Sequence, residues 1–206
     1  DGPSIVGQLG GRFSPIQELD LSIRAKLIHV EGGAPGPVSH PYTDHWFDVW
    51  RTSVAMELDY EHPVFDLTAV PFANMGIHRL HDGFHSVDVV AGGKVEADVR
   101  IVDSLNLLLG LGAQGVDGIV ENRIEMEREN VQGMTNLSFY NQLTWNPLAG
   151  LVFVAGTREM YSTAYGFIFL FKGGASWTVT DGFTLRTRVT RNFRQPTIRE
   201  LYLPYP

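Results

Sequence analysis

A two-residue alternation of apolar and polar side chains recurs along almost the whole chain and limits what it can fold into. In the cleanest segment, 19–27, leucine, isoleucine and alanine fill the odd positions, while aspartate, serine, arginine and lysine fill the even ones. Successive side chains of a strand point to opposite faces, so this pattern predicts a strand with one apolar and one polar face. Comparable alternation is found in residues 5–13, 52–60, 65–70, 95–101, 105–113, 137–145 and 183–189. Strands are also predicted over 169–179 and over 151–158, which is apolar on both faces as far as Gly156. The sequence therefore predicts an all-β chain of about ten strands.

The connections between these strands alternate in length. Short turns are predicted near residues 15, 62, 103, 148 and 181, and longer connections are predicted over 31–45, 74–86, 115–132 and 159–165. Strands joined by short turns run antiparallel, so the chain is expected to form an up-and-down meander with its elaboration at one end. A transmembrane β-barrel has this asymmetry, with short turns on one side of the membrane and longer loops on the other.

The polar faces and the aromatic residues are also typical of a membrane barrel. A wide, wet or plugged lumen would accommodate charges in the middle of strands, whereas a soluble barrel would bury them. These charges are Asp20, Arg24, Lys26, Glu57, Asp59, Lys94, Glu96, Asp98, Arg100, Arg186 and Arg188. Aromatic residues fall into two groups that resemble interfacial girdles. Those near the short turns are Phe13, Tyr60, Phe65, Trp145, Trp177 and Phe183, and those near the longer connections are Trp46, Phe47, Trp50, Phe72 and Tyr161.

Composition argues against several other classes of protein. The chain has no cysteine, which argues against disulfides, thiolate metal sites and cysteine nucleophiles. Its net charge of −7 offers no basic surface for nucleic acid. Its apolar runs fall far short of the ~20 residues that a membrane-spanning helix needs. No phosphate-binding, dinucleotide-binding or serine-hydrolase motif is present, so neither a catalytic residue nor a cofactor is predicted.

The end of the chain resembles a known signature. Phe193, Arg194, Pro196, Thr197, Glu200, Leu201 and Tyr202 match the Phe-Arg-x-Pro-Thr-x-x-Glu-Leu-Tyr pattern found late in the barrel of TonB-dependent outer-membrane receptors. Residues 155–159, 165–166 and 183–186 are similar to neighbouring strands of these receptors, and residues 76–79 with 82–86 are similar to one of their loops. The resemblance is best over about 138–202.

This resemblance implies a fold, a function and a set of partners. Receptors of this kind have an N-terminal plug and a barrel of about 22 strands, so residues 1–206 are expected to be a single partial β-barrel domain that lacks the plug. The implied function is import of a scarce siderophore-, cobalamin- or carbohydrate-like ligand across the outer membrane of a Gram-negative-type bacterium, without enzymatic activity. The implied partners are outer-membrane lipid, the plug and the remaining strands, and a TonB-type energy-coupling protein that acts through the plug.

Two other readings of the alternation remain open at this point. A self-contained ten-stranded outer-membrane barrel, acting as a protease or a porin, would use the same strand count. A soluble β-rich binding module would turn its polar face towards water, and each strand taken alone fits that equally well.

One cluster of side chains is a candidate ligand-binding site. His78, Arg79, His81, Asp82 and His85 lie within eight residues in a connection expected on the outer side. Imidazole and carboxylate groups suit metal ions, but a spacing of three and four residues converges only on a helix, which a strand-rich chain does not provide. Contact with a ligand is therefore predicted there, and a metal site is not. The residues of the terminal signature are expected at the barrel rim, where Pro196 ends a strand.

Overall fold

The computed structural model describes residues 2–33, 44–124 and 127–194, and within 127–132 it describes the backbone alone. All regular structure in these residues is β-strand. The ten strands are β1 (Ser4–Ile16), β2 (Leu19–Gly33), β3 (Trp46–Glu61), β4 (Phe65–Leu80), β5 (Phe84–Val102), β6 (Leu105–Asn122), β7 (Glu127–Leu148), β8 (Leu151–Ser162), β9 (Gly166–Thr180) and β10 (Phe183–Arg191). No helix long and apolar enough to cross a membrane occurs in the described part of the chain.

The strands form one antiparallel sheet in which each pairs with its neighbours along the chain, in the order β1 to β10. The predicted up-and-down meander of about ten strands is confirmed. Within the described residues β1 pairs with β2 alone and β10 with β9 alone, so both edges of the sheet are open. The described residues therefore do not close into the self-contained ten-stranded barrel of the alternative reading.

Register places the alternating side chains on two continuous faces. Ala69, Val95, Leu111 and Phe139 lie side by side across β4 to β7. The adjoining row, displaced by one residue, contains Thr68, Glu96, Gly110 and Tyr140 on the opposite side of the sheet. We call these two sides the apolar face and the polar face. A slip of one residue in any strand would move its apolar side chains to the polar face, so the alternation fixes the register.

The apolar face is not covered by any part of the described chain. Leu111 is 63% exposed and Phe167 is 66% exposed, and the buried hydrophobic side chains of the described residues are Val116, Met134 and Met160 alone. A soluble sheet normally packs one face against a core. This sheet provides no such core, so its apolar face requires an apolar environment from outside the chain.

The lengths of the connections differ from those predicted. The turns at one end of the sheet are short, as expected, at residues 17–18, 62–64, 103–104, 149–150 and 181–182; we call this the short-turn end. At the opposite end, called the loop end, residues 74–80 and 84–86 belong to β4 and β5, and most of 115–132 belongs to β6 and β7. The loops predicted over 74–86 and 115–132 are therefore wrong, and so is most of that over 159–165, because β8 continues to Ser162.

Polar composition explains this error. Strands that continue past a membrane carry polar residues on both faces, because water surrounds them there, and the alternation used to recognise a strand disappears. Glycine at 83, with φ of 87°, closes the tight β4–β5 turn. Pro71 does not end β4; instead, the paired positions of β3 and β4 are interrupted beside it, as expected for a residue without an N–H group.

Most of the aromatic residues expected in the two girdles lie on the apolar face. Trp145 and Phe153 stack there with ring centroids 5.6 Å apart, and Trp177 lies nearby opposite Leu151. Phe47 and Phe72 do not belong to a girdle. Phe47 lies on the same side of β3 as Glu57, and Phe72 is opposite Gly92 on the polar face.

A cysteine pair tests whether residues 74–86 are strand or loop. Ile77 and Val87 are directly opposite each other in β4 and β5. Ile77→Cys with Val87→Cys should form a disulfide under mild oxidation, because directly opposed Cβ atoms are about 4.5–5.5 Å apart. The natural chain has no cysteine, so this cross-link can be read directly as a shift in gel mobility.

The matched control is Ile77→Cys with Val89→Cys, which lies one step out of register and should cross-link far less. Equal cross-linking in both pairs would indicate a mobile loop and would contradict the paired strands.

Candidate functional site

A row of charged side chains crosses five strands at the loop end of the apolar face. Glu31, Asp48, Arg79, His85 and Glu121 are successive partners in the register of β2 to β6. We call these five residues the charged row. Two of the five residues predicted to bind ligand, Arg79 and His85, are directly opposite each other within it.

Asp48 links the charged row to a histidine on β2. Asp48 Oδ1 lies 2.9 Å from His29 Nε2, and Asp48 Oδ2 lies 3.5 Å from Arg79 Nη1. The His29 ring stacks on Trp50 with centroids 3.9 Å apart and an angle of 14° between planes. The Arg79 Nε atom is buried without a hydrogen-bond partner among the described residues, although the Arg79 side chain as a whole is 43% exposed.

His85 is held by the end of β6. It is 8% exposed, and its Nδ1 atom lies 2.7 Å from Glu121 Oε1. Arg123 Nε donates to the same Glu121 oxygen at 2.8 Å, and Arg123 Nη2 lies 3.1 Å from His85 Nδ1. The Arg123 backbone N–H donates to the Gly83 carbonyl at 2.9 Å. These contacts hold the β4–β5 turn against the end of β6, so the position of His85 at the loop end is well supported.

Glu121 is ionised more readily than an ordinary glutamate. The Arg123 guanidinium, and then the His85 ring, bond to the carboxylate and lower its pKa. The ion pairs of the charged row therefore persist down to lower pH than an unpaired glutamate would allow.

The three remaining residues predicted to contact ligand are separated from the charged row. His78 lies on the polar face opposite Ser86, with its ring edge towards Phe84 at 5.7 Å. The His81 ring stacks on His45 with centroids 3.7 Å apart. Asp82 Oδ1 accepts the Phe84 backbone N–H at 3.1 Å and so closes the turn. Adjacent strand residues point to opposite faces, which is why a run of neighbours in sequence does not form one site.

Sequence reasoning missed Asp48, Glu121, Arg123 and His29. The sequence does predict the short turn at 103–104. Strands that leave a short turn pair symmetrically about it, so if β5 and β6 are extended away from the turn, residue 85 is expected to pair with residue 121. This pairing is not predicted, because residues 85 and 121 fall in the segments expected to be loops. Among side chains that the structure describes, no three histidine, aspartate or glutamate residues are grouped so that they could hold a metal ion.

A second polar arrangement lies in the middle of the polar face. Tyr140 Oη donates to Glu96 Oε1 at 2.7 Å, and Lys94 Nζ pairs with the other Glu96 oxygen. Gly110 stands between them in register, and a Cβ atom there would lie 2.1 Å from the Tyr140 ring. The glycine therefore lets the tyrosine lie flat across β6 and reach the carboxylate on β5. The Arg158 guanidinium lies 5.6 Å from the centroid of the same ring.

Around this network lies an open cleft of about 680 Å³ on the polar face, lined by Lys94, Glu96, Tyr140, Arg158 and Lys172 among others. Phe193, the first residue of the terminal signature, lines the same cleft, and its ring centroid is 5.2 Å from that of Tyr165. Arg194 is exposed. Pro196, Thr197, Glu200, Leu201 and Tyr202 lie outside the described residues, so the expected role of Pro196 in ending a strand stays a prediction.

Comparison with known proteins gives one family and several structural neighbours. The family model described as "TonB dependent receptor-like, beta-barrel" matches residues 25–206. No functionally curated protein is significantly similar in sequence. Among solved structures, the siderophore receptor PirA from Pseudomonas aeruginosa superposes with a TM-score of 0.74 at 13% identity, over 94% of this chain and 34% of PirA.

Two further structures agree with this match. The copper transporter OprC gives a TM-score of 0.73 at 12% identity, over 86% of this chain and 34% of OprC. A mutant of the ferric enterobactin receptor PfeA from Pseudomonas aeruginosa gives 0.68 at 12% identity, over 98% of this chain and 34% of the receptor. At these identities the likeness establishes the fold, and the chain spans about a third of the length of these proteins.

Gly110→Val should disrupt the network around Tyr140. The added side chain occupies the position of the ring, so the Tyr140–Glu96 hydrogen bond should be lost at a cost of about 1–3 kcal/mol. Chemical unfolding of the full-length protein in detergent measures this. Gly173→Val is the matched control, because a Cβ atom at Gly173 on β9 meets nothing within 4 Å. Equal losses for the two variants would contradict the packing described.

Acidification should loosen the loop end through Glu121. A group whose pKa is lowered on folding contributes stability above its ordinary pKa and loses it as the pH falls through the lowered value, so the effect is expected below about pH 4. Amide hydrogen exchange of residues 81–85 and 119–123, compared between pH 7 and pH 3, should show the loss of protection.

Glu121→Gln should be less protected already at pH 7 and should change little on acidification. Parallel losses in the natural protein and in this variant would mean that another group is responsible.

Proposed function

The chain belongs to the TonB dependent receptor-like β-barrel family, and from this membership we propose that it forms part of the wall of an outer-membrane active transporter. The observation that carries the proposal is a ten-stranded antiparallel sheet with one uncovered apolar face and one charged polar face. Such a sheet suits a barrel whose outside meets lipid and whose inside is polar. Members of this family are outer-membrane barrels of Gram-negative bacteria, which places the transporter in that membrane.

Strand length supports a position for the charged row outside the bilayer. A tilted strand needs about 9–11 residues to cross. β5, β6 and β7 contain 19, 18 and 22 residues, and Glu121 lies sixteen residues after Leu105 at the short-turn end. The ends that carry Arg79, His85 and Glu121 therefore extend beyond the apolar band, where they meet water and the solutes in it.

The proposed role of the loop end is capture of the ligand. His78, Arg79, His81, Asp82 and His85 all lie there. His78 is on the polar side of β4, whereas Arg79 and His85 are on the other side of the sheet, where the contacts of His85 with Glu121 and Arg123 support the loop end. The transporter that we propose also contains a plug and further barrel strands, and it works with a TonB-type energy-coupling protein. All of these lie outside this chain. The ligand is of the scarce kind that outer-membrane receptors import, such as a siderophore, a cobalamin or a carbohydrate.

No specific observation favours the alternative functions. A closed ten-stranded protease or porin requires β1 to pair with β10, and in the described residues it does not. A soluble binding module requires a covered apolar face, whereas Leu111 and Phe167 are mostly exposed.

Uptake by cells tests the proposal. The full-length protein should restore energy-dependent uptake to a strain that lacks it, measured with a panel of ⁵⁵Fe-labelled siderophores, radiolabelled cobalamin, ⁶⁴Cu and labelled oligosaccharides. An uncoupler of the proton-motive force should abolish that uptake. Uptake that survives the uncoupler would mean a passive pore, and no uptake of any probe would leave the transport function without support.

His78→Ala should reduce uptake about tenfold at limiting ligand, because about 1.4 kcal/mol of binding is lost with this ring on the lumen side of the loop end. His62→Ala is the matched control: His62 lies at the short-turn end, and among the described residues its ring contacts only that turn, accepting the Val64 backbone N–H and stacking on Phe65. Equal effects of the two changes would place ligand capture elsewhere.

A further inference from the structure

Glu159 is an exception to the apolar character of the apolar face. It lies on β8, directly opposite Phe139 on β7 and Phe169 on β9. From the short-turn end up to the row of Tyr161 and Phe167, no other charged residue lies on this face of β2 to β9 in the described chain. An ionisable side chain that faces lipid is unfavourable unless it has a partner.

The position of Glu159 along β8 places it inside the apolar band. It is eight residues from Leu151, the first residue of β8 after the short turn, and a tilted strand needs about 9–11 residues to cross. Tyr161 and Phe167 lie opposite each other one row nearer to the loop end. Aromatic residues on the outside of a membrane barrel mark the level of the lipid headgroups. Glu159 therefore lies below the headgroups, at the depth of the hydrocarbon.

Two polar side chains support Glu159 without satisfying it. Asn141 Nδ2 donates to Thr157 Oγ1 at 2.8 Å, and Thr157 Oγ1 donates to Glu159 Oε1 at 2.9 Å. The other oxygen, Oε2, is buried and has no hydrogen-bond partner among the described residues. The Glu159 residue as a whole is half-buried, and the last torsion of a glutamate side chain is soft. The carboxyl group can therefore turn towards a donor that approaches from the membrane.

A groove of about 620 Å³ on the apolar face runs beside Glu159; we call it the lipid-side groove. Its floor is low because Pro71, Gly93 and Ala113, which have small side chains, follow one another across β4, β5 and β6. Larger side chains form its sides, and these are Leu111, Leu137, Phe139, Tyr161 and Phe167. Small residues let a neighbouring segment approach closely within a membrane. The groove is therefore an apolar recess with one carboxyl group in its lining.

We propose that the lipid-side groove is the docking site for a membrane-embedded segment of a second protein, and that a lysine or arginine of this segment pairs with Glu159. This inference rests on the proposed function, because it requires that the apolar face meets lipid. The chemistry of the partner follows from the site: an apolar surface that fills the recess and one cation at the depth of Glu159.

Charge complementarity is the argument for a cation in the partner. In hydrocarbon no water is present to bond to a carboxyl group, so an unpaired one is strongly unfavourable. Charged side chains at membrane depth pair with one another for this reason. An ammonium or guanidinium group supplies both the opposite charge and the hydrogen-bond donors that the Glu159 carboxyl group lacks.

Two other occupants fit the site less well. A second copy of this chain, docked groove to groove, would set Glu159 against Glu159, because the described rows of this face on β2 to β9 contain no lysine or arginine. A lipid headgroup amine would have to descend past Tyr161 and Phe167 to reach the carboxyl group. A protein segment within the membrane can carry its cation at the required depth.

Photo-cross-linking in living cells of the bacterium that makes this protein tests the proposal. A benzophenone amino acid replaces either Phe167, which is 66% exposed at the side of the groove, or Ile23, which is 47% exposed on β2 outside it. In the full-length receptor, the probe at Phe167 should give a discrete protein adduct, and the probe at Ile23 should give lipid adducts alone.

Glu159→Gln keeps the shape of the side chain and removes its charge, so the yield of the protein adduct should fall about tenfold. Mass spectrometry of the adduct should identify an apolar segment with a lysine or arginine. Glutamate in place of that cation should also reduce the adduct, and the same change combined with Glu159→Lys should restore it.

An unchanged yield of the protein adduct in Glu159→Gln overturns the proposal. Lipid adducts alone at Phe167 also overturn it and assign the carboxyl group to a lipid amine, and an adduct between two receptors assigns the groove to self-association instead. If Glu159→Gln fails to fold, Ala113→Phe, which fills the floor of the groove, should abolish the protein adduct, and its persistence overturns the proposal. Absence of lipid adducts at Ile23 would mean that the apolar face does not meet lipid, and in that case the proposed function itself fails.

Discussion

Backbone pairing in a single register is the constraint on which the rest of this structure depends. Ten strands pair in chain order, and the two-residue alternation then assigns every side chain to one of two faces. Leu111, for example, lies exposed on the apolar face, and its chain neighbours Gly110 and Gly112 lie on the polar face. Breaking the register of one strand would bring its leucines among the ion pairs and its charges onto the apolar face. Fold, membrane placement and charge distribution are therefore consequences of one pairing scheme.

Charged side chains on the polar face find partners in two ways. On β1 to β5, oppositely charged residues stand on neighbouring strands and pair within the wall, as Arg24 does with Glu57. In the centre, Gly110 leaves space for Tyr140 to span a strand and reach Glu96. On β8 to β10 neither device is present, and the wall is left with one sign of charge. The polar face thus contains several ion pairs in one half, and cations without an ion-pair partner among the described residues in the other.

The fold could be predicted from the sequence largely because the alternation is clear in the middle of most strands, although not in β8, which begins with five apolar residues. Segment 19–27 is an example, and β2 indeed contains it. Prediction fails at the loop end, because the polar residues of β4 to β7 lack alternation there. Segment 115–132 therefore has the composition of a loop although most of it is strand. The candidate site was only partly accessible. Arg79 and His85 were singled out from their sequence neighbourhood, but Asp48 and Glu121 come from distant strands, and the register brings them together.

The central claim is that the apolar face of this sheet meets lipid and the polar face meets a polar lumen. Spin labels placed one at a time at residues 106 to 113 of β6 in the full-length protein, reconstituted in bilayers, test it most directly. Collision rates with dissolved oxygen, which concentrates in lipid, should rise and fall with a period of two residues, with maxima at Leu107, Leu109, Leu111 and Ala113. A flat profile, or maxima at the even positions, would contradict the account.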